Sequence, residues 1–362
     1  MENLKRILFI EPQPCIRALK LAYGLKWLLG EEISLVFGHQ GKTLTEFYGY
    51  GDEFFDEFVL LSKEEPEKSI SELVKRYNPD IIHSHNAPDY LTLAALNSVK
   101  GTPIIHDTHD ALTMRKTPYN LTDGEDRVNQ YAVEEKVANE KSQGRIYITK
   151  GVRDYLRNLY SLDSGSEIIF NNYVPKAIIP QKLEKKLSST DGETHIVYAG
   201  TITSQTEGHH YDFREIFKEI ADHQLHIHIY ASREDAAYER MAQESKYIHY
   251  HGHLNQRALM KELTRYDYGW TGFNDTKNKT HLDVCLPNKT FEYISCGLPV
   301  LSYPHKTLTD FIEGNKVGFI LNNIDELEES NTVRENVLKN RYSFTVENNI
   351  ERLNNFYQTF MS

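Results

Sequence analysis

The sequence predicts an α/β protein made of two Rossmann-like domains, each with a parallel sheet. Short apolar strands alternate with longer amphipathic segments, which is typical of parallel βαβ units. A length of 362 residues allows two domains that each bury a core. A charged stretch containing Ser and Gly, at 176–194, is the best linker candidate. We therefore expect an N-terminal domain at 1–175, a C-terminal domain at 195–345 and a final amphipathic helix at 346–362.

The alternation can be followed element by element. Short apolar runs in the first half predict strands at 6–10, 33–37, 80–83, 103–106, 145–149 and 168–170. Amphipathic segments between them predict helices at 16–29, 69–77, 90–99, 127–141 and 151–159. The second half repeats the pattern, with strands beginning at 195 and at 225–230, 247–252 and 300–303, and helices at 235–243, 255–265, after 288 and at 346–360.

Composition excludes several classes of protein. Hydrophobic residues make up 40% and charged residues 26%, a globular balance without a disordered bias. The 41 basic and 52 acidic residues give a formal charge of −11, which argues against a general nucleic-acid binder. Any phosphate site must therefore be local.

Cysteine usage and hydropathy indicate the compartment. Cys15, Cys285 and Cys296 cannot all pair with one another and lack metal-motif spacing, so a reducing compartment is the simpler inference. The first apolar run is too short for a secretory core, and no run approaches the ~20 apolar residues of a membrane span. We expect a cytoplasmic protein, with peripheral contact at the inner membrane face left open.

The hypothesis of peripheral membrane contact rests on one predicted helix. Arg17, Lys20 and Lys26 lie among apolar neighbours in the predicted helix 16–29, a pattern compatible with an interfacial basic helix. The alternative is a core-facing helix with a solvated basic edge.

The most informative segment is LPNKTFEYISCGLPVLSYP, residues 286–304. Asn288 can cap a helix that Gly297 and Pro299 then end. Lys289 in the first turn opposes the helix dipole, which predicts an anion such as a diphosphate at this helix start. Glu292 lies one turn further along the same face. The alternative is an ordinary surface pair of Lys289 and Glu292.

Other polar residues fall where predicted strands end, the edge at which doubly wound sheets bind ligands. Gly200 allows close approach of a diphosphate, to which amides and the Thr201 hydroxyl can donate. Arg233, in a later loop, is a second candidate cation. The strand at 103–106 leads into HDTHDALTMR, which contributes His106, Asp107, His109 and Asp110.

The strand before it ends in the pattern H-x-H. His83 and His85 lie on the same side of this segment, since side chains alternate along a strand. With His109 they could form the metal site of a hydrolase, although such enzymes usually have a barrel fold.

The segment 286–304 resembles the donor-binding motif of GT-B glycosyltransferases of the retaining family 4 type, P-N-K-x-x-E-Y followed by G-L-P-V. The resemblance implies a GT-B fold, in which two Rossmann-like domains face each other across a cleft and the last helix returns to the first domain. It places Asn288, Lys289, Thr290 and Glu292 at the nucleotide, with Glu292 on the ribose. It also places His109 beside the transferring sugar, and it places His253 and Leu254 at the base.

The chain departs from this family pattern at two points. The usual basic residue after the turn at Gly200 is absent, which leaves Lys289 as the clearest charged partner. The motif also has a first glutamate, and here Val284 occupies that position. Asp283, one residue away, could replace it if the loop shifts. The predicted catalytic residues are therefore His109, Asp110 and Asp283.

The resemblance implies a hexosyltransferase of cell-surface polysaccharide or glycan synthesis, with a UDP-sugar favoured over a GDP-sugar as donor. The acceptor would be a hydroxyl of a glycan, a lipid-linked molecule or a protein, and transfer would retain configuration without a metal or other cofactor. If transfer inverted, Asp107 or Asp110 could be the general base. The alternatives are a non-catalytic sugar-binding or scaffold subunit, a nucleotide-sugar epimerase, and the metal-dependent hydrolase using His83, His85 and His109.

Overall fold

A computed structural model describes residues 4–114, 124–205, 209–274, 278–328 and 330–361. The chain divides into two compact units, one formed by Met1–Pro175 with Val346–Ser362 and the other by Lys176–Thr345. Each unit contains one parallel sheet with helices, which confirms the predicted α/β class.

The first unit has a seven-stranded sheet in the order β3-β2-β1-β4-β5-β6-β7. Its strands are β1 Arg6–Glu11, β2 Ser34–His39, β3 Glu57–Leu60, β4 Ile81–His85, β5 Ile104–Thr108, β6 Gly144–Tyr147 and β7 Glu167–Ile169. Its helices are α1 Ile16–Leu29, α2 Leu44–Tyr48, α3 Pro66–Tyr77, α4 Tyr90–Ser98, α5 Glu125–Lys141, α6 Lys150–Tyr160 and the C-terminal α15 Ile350–Gln358. Register pairs such as Phe9 with His83 align the strand ends at one edge.

The second unit has a six-stranded sheet in the order β10-β9-β8-β11-β12-β13. Its strands are β8 His195–Gly200, β9 His226–Ala231, β10 Ile248–Gly252, β11 Tyr268–Trp270, β12 Val300–Ser302 and β13 Gly318–Ile320. Its helices are α7 Ser188–Asp191, α8 Arg214–Asp222, α9 Ala236–Glu244, α10 Gln256–Leu263, α11 Lys279–Val284, α12 Asn288–Ser295, α13 Lys306–Asn315 and α14 Asn331–Asn340.

Buried aliphatic and aromatic residues form the core of each unit, around Leu8, Ile82 and Leu91 in the first and around Ile196, Phe217 and Trp270 in the second. Central strands such as β1 and β8 are almost fully buried. Because both of their faces are covered, their sequences are nearly continuous apolar runs. The edge strands β3 and β13 are only partly buried, and apolar patterning did not reveal them.

The stretch 176–194 belongs to the second unit rather than forming a loose connection. The backbone amide of Glu184 donates to Thr264 Oγ1 at 3.1 Å, and that of Leu187 donates to the Arg265 carbonyl at 2.9 Å. Its charged residues are exposed or half-buried positions of a packed segment.

The C-terminal helix packs against α1 within the first unit. A side chain at Gly24 would place its Cβ 2.4 Å from Val346 Cγ1, so the glycine allows the two segments to touch. Val346 donates its amide to the Val174 carbonyl at 3.0 Å, and Tyr23 donates its hydroxyl to Glu347 at 2.5 Å.

The interfacial-helix hypothesis for α1 is wrong. Arg17 and Lys20 are 1% and 3% exposed, and Lys20 Nζ donates to the Asn172 carbonyl at 3.3 Å. Lys26, nearer the surface, pairs with Asp56 at 3.0 Å. The basic groups of this helix satisfy acceptors inside the unit instead of facing a membrane or solvent. Within the described ranges, no helix combines the length and apolar character needed to cross a bilayer.

Candidate active site

In the second unit, the carboxyl end of β8 meets the first turn of α12. Gly200 ends the strand with φ at 148°, a conformation that favours glycine. A Cβ at this position would lie 3.1 Å from Lys289 Nζ, so the lysine side chain occupies the space that the glycine leaves. The predicted neighbours Gly200 and Lys289 are thus brought together from positions far apart in the sequence.

Lys289 lies in an unusual environment for an ammonium group. Its Nζ is 3.8 Å from the centroid of the Tyr198 ring, a cation–π distance. Burial lowers the pKa of Lys289 to about 7, while the charge of Glu292 opposes that shift. Among the described residues, no carboxylate lies within 4 Å of Nζ to neutralise it. A cation at a helix start with no close counter-ion is suited to an anionic ligand.

Two buried hydroxyls hold α12 in place. Tyr293 Oη accepts the backbone amide of Ala199 at 2.8 Å, which ties the helix to β8. Thr290 and Thr271 share a hydrogen bond of 2.6 Å between their hydroxyls, so Thr290 anchors the helix rather than facing a ligand with its side chain.

The predicted capping role of Asn288 is wrong. The helix begins at Asn288 itself and Pro287 is the residue before it, without a side-chain cap. The first amides of α12 therefore receive no capping side chain. The amide of Thr290 donates to the Pro287 carbonyl at 3.0 Å, and those of Asn288 and Lys289 have no described partner and could bind an anion. Gly297, with φ at 79°, follows the helix end as the sequence predicts.

The two acid positions differ in their surroundings. Glu292 is partly exposed, and its carboxylate makes no hydrogen bond with another described residue. Asp283 lies near the end of α11, where its carboxylate is 3.6 Å from both Lys279 Nζ and His305 Nδ1. Val284, where the family's first acid would be, closes this helix. Asp283 is thus held on a helix by two basic partners rather than on a free loop.

The remaining donor candidates lie in loops after neighbouring strands. Arg233 and Thr201 are exposed beyond β9 and β8, and the Ser232 hydroxyl lies 3.4 Å from that of Thr201. His253 is exposed and Leu254 partly buried just after β10. None of these four side chains has a described contact with Lys289.

The first unit buries a charged cluster at the end of β5. Asp107 accepts a hydrogen bond from Arg17 Nε at 2.8 Å and lies 3.1 Å from His83 Nε2. Burial alone would raise the pKa of Asp107, but the Arg17 guanidinium and His83 hold it well below its usual range. A carboxylate that stays ionised in a buried ion pair is a poor proton acceptor, so the structure argues against Asp107 as a general base.

His109 and Asp110 follow this cluster in a loop that Asn86 fixes. Asn86 Oδ1 accepts the backbone amides of His109 at 3.0 Å and of Asp110 at 3.3 Å, and its Nδ2 donates to the Asp110 carbonyl. The His109 amide is therefore engaged, and its ring remains the group able to reach a sugar. Burial lowers the pKa of His109, which favours the neutral imidazole. Asn86 was not identified from the sequence, although it directly follows the H-x-H pattern.

The proposed metal trio of His83, His85 and His109 is not supported. The ring centroids of His83 and His85 lie 4.4 Å apart with the ring planes tilted by 32°, on the same side of the strand as alternation predicts. However, His83 uses both ring nitrogens, at 2.6 Å from the Tyr357 hydroxyl and 3.1 Å from Asp107. It has no nitrogen left for a metal.

Glu11 is a buried acid that the sequence reasoning missed. It ends β1 and accepts the Cys15 amide at 3.0 Å, with 2% of its surface exposed. Burial raises its pKa to about 8. The sequence feature that could have identified Glu11 is an acidic residue at the end of an otherwise apolar strand.

Two family models match this chain. Residues 63–171 match Glycosyltransferase Family 4, and residues 196–358 match the C-terminal domain of Glucosyltransferase 3-like proteins. A search of curated sequences finds no match.

Solved structures share the fold along almost the whole chain. A glycosyltransferase from Rickettsia africae is 14% identical with a TM-score of 0.67 and 100% of each chain covered. Sucrose-phosphate synthase from Thermosynechococcus elongatus is 10% identical with a TM-score of 0.62, covering 99% of this chain and 95% of that one. Anabaena HepE in complex with UDP and glucose is 11% identical with a TM-score of 0.60, covering 99% and 97%.

The two parallel sheets and these structural matches show the GT-B fold. Within the first unit, residues 63–171 match the family 4 model, and the motif on α12 resembles that of the same family.

Proposed function

We propose that this protein transfers a hexose from a nucleoside-diphosphate sugar, preferably a UDP-sugar, to a hydroxyl of a glycan, a lipid-linked molecule or a protein. The observation that carries the donor assignment is Lys289, whose side chain comes from the first turn of a helix without a side-chain cap, lies close to Gly200 and has no carboxylate within 4 Å of Nζ among the described residues. HepE, a structural neighbour, binds UDP with glucose and is also found with UDP-glucose, which supports uridine as the base.

Glycosyl transfer places negative charge on the leaving diphosphate and positive charge on the sugar. Lys289 and the first amides of α12 would stabilise the diphosphate. Glu292, whose carboxylate makes no hydrogen bond with another described residue, would accept hydrogen bonds from the ribose hydroxyls. His109 would contact the transferring sugar through its ring, and His253 and Leu254 would border the base.

We propose that transfer retains configuration and needs no metal. In that case the leaving phosphate takes the acceptor proton, so no protein base is required. This fits Asp107, whose buried ion pair with Arg17 keeps it from acting as a base. In the inverting alternative, Asp110 would be the general base.

The acceptor would use a depression of about 330 Å³ in the first unit. The residues that line it are Pro12, Gln13, Gln40, Gly41, Lys63 and Tyr90. The side-chain amides of Gln13 and Gln40 donate to the carbonyls of Lys42 and Ser62, so the Lys63 ammonium is the donor that would meet a glycan hydroxyl. Lys63→Ala should raise KM for the acceptor while leaving KM for the donor unchanged. Equal changes in the two KM values would refute the assignment of this depression to the acceptor.

The test of donor binding is calorimetric titration of UDP, GDP, ADP, CMP and dTDP, followed by a transfer assay with the sugar nucleotides of the base that binds. Lys289→Ala should weaken nucleotide binding at least tenfold, since hydrogen bonds to charged groups contribute about 1.5–3 kcal/mol. Lys306→Ala is the matched control, because Lys306 also begins a helix but is exposed and paired with Asp310. Equal binding by wild type and Lys289→Ala would refute the donor site.

A non-catalytic sugar-binding or scaffold subunit is the second candidate. It is favoured by Val284 at the first acid position and by the pairing of Asp283 with Lys279 and His305. Tight nucleotide binding without transfer or hydrolysis, across donors and acceptors, would support it. Measurable transfer that Asp283→Asn abolishes would exclude it.

A further inference from the structure

We propose that Cys15, His85 and His109 form a binding site for a zinc ion in the first unit. One ligand atom from each residue lies within 4.8 Å of the other two. Two imidazoles and a thiolate are a donor set that Zn²⁺ prefers. This trio replaces the set of His83, His85 and His109 that the sequence suggested, because both ring nitrogens of His83 are already hydrogen-bonded. The sequence did not reveal Cys15, because it lies far from the two histidines along the chain.

His85 supplies the strongest evidence. It is fully buried, and neither of its ring nitrogens has a hydrogen-bond partner among the residues that the structure describes. A buried imidazole without partners is costly, so such a group usually serves a ligand or an ordered water. Its Nδ1 is 3.9 Å from Asp107 Oδ2, which is too far for a hydrogen bond.

The other two ligands are positioned by independent elements. Cys15 directly precedes α1, where its amide donates to Glu11 at 3.0 Å. His109 is held in its loop by Asn86, and its Nδ1 is buried without a partner in the described part of the chain. Both residues keep some exposure, which provides a path for an ion to enter.

The distances require only a small closure. Zinc–nitrogen bonds of about 2.0–2.1 Å and zinc–sulfur bonds of about 2.3 Å place tetrahedral ligand atoms about 3.3–3.6 Å apart. Because the ligand atoms lie within 4.8 Å of one another, they would have to approach by at most about 1.2–1.5 Å to reach that spacing. Binding would release the Cys15 thiol proton and leave one coordination position open for water.

The test uses the metal-free full-length chain. Titration with Zn²⁺ in competition with a chromophoric chelator should show one binding site. Cys15→Ser or His85→Gln should weaken the affinity of this site for Zn²⁺ at least tenfold. With Co²⁺ as the spectroscopic probe, wild type should show a thiolate-to-cobalt charge-transfer band that Cys15→Ser removes.

Cys285→Ser is the matched control. Cys285 Sγ lies 3.6 Å from His281 Nε2, so the second unit contains another cysteine–histidine pair that could imitate the signal. The band should survive this substitution. A band retained in Cys15→Ser or lost in Cys285→Ser would overturn the proposal, as would the absence of Zn²⁺ binding in wild type.

A measurement on the unmodified protein covers the case in which Cys15→Ser does not fold. Zn²⁺ should slow alkylation of Cys15, mapped by mass spectrometry, while alkylation of Cys285 stays unchanged. Equal alkylation of Cys15 with and without Zn²⁺ would refute the site. The unpartnered ring nitrogens of His85 would then be explained by water in the space around them.

Discussion

The pKa of Lys289 predicts how donor binding depends on pH. Burial depresses this pKa to about 7 in the free protein. A bound diphosphate favours the protonated ammonium, so its pKa rises on binding and a proton is taken up. If the pKa in the complex lies above 10, affinity for UDP should fall about eightfold between pH 7.5 and 8.5, or about 1.2 kcal/mol.

The sign follows from the charge of each partner. Above pH 7 the free lysine is increasingly neutral, and binding must then supply the proton from solvent. Ionisation of the nucleotide contributes little to the pH dependence above pH 7, because a terminal phosphate with a pKa of about 6 is already ionised there. Between pH 6 and 7 the lysine should therefore change the affinity by only about twofold, and above pH 7 the affinity should fall steeply.

The assay is calorimetric titration with UDP at both pH values, in buffers that differ in ionisation enthalpy. At pH 8.5 wild type should take up about one proton for each UDP bound. Lys289→Arg keeps its charge at every pH tested, so its affinity should not vary. Lys306→Ala should behave as wild type. A pH-independent wild-type affinity, or the same slope in Lys289→Arg, would refute the reasoning.

Three further substitutions test the surroundings of the site. Gly200→Ala should weaken UDP binding and lower the free energy of unfolding by about 1–3 kcal/mol, because its φ is strained for alanine and its Cβ would press on Lys289; unchanged binding would contradict the close approach. Tyr293→Phe should cost about 1–3 kcal/mol in urea unfolding by leaving a buried amide unpaired, and a smaller loss would mean that water replaces the hydroxyl. Asp107→Asn should cost about 3–5 kcal/mol by leaving Arg17 buried without its counter-ion, and wild-type stability would show that the pair is not structural.

Much of the donor motif was predictable because its signals are local. A proline before a helix, a glycine after it and an apolar strand beyond are read from neighbouring residues, and α12 and β12 lie where these signals place them. The first-turn lysine also predicted an anion site from the helix dipole alone. The capping role of Asn288 failed because a shift of one residue in the helix start converts a cap into a first-turn position.

The cluster in the first unit was less predictable because its members come from distant elements. His83 and His85 could be placed on one face of a strand by alternation. Whether His83 was free depended on Tyr357 and Asp107, which sequence spacing does not relate to it. The basic face of α1 was misread for the same reason, since Arg17 meets its acid only through the sheet.

The sequence by itself determined the α/β class and most of the central strands, and it predicted an anion site in the segment 286–304, because these inferences follow from periodicity, turn residues and the helix dipole. The tertiary structure alone decided which polar groups are satisfied. It paired Arg17 with Asp107 and engaged both nitrogens of His83. Among the described residues, it left both ring nitrogens of His85 without a hydrogen bond and Lys289 Nζ without a carboxylate within 4 Å. Burial and long-range hydrogen bonds set the charge and availability of a side chain, and both depend on atoms that folding brings from elsewhere in the chain.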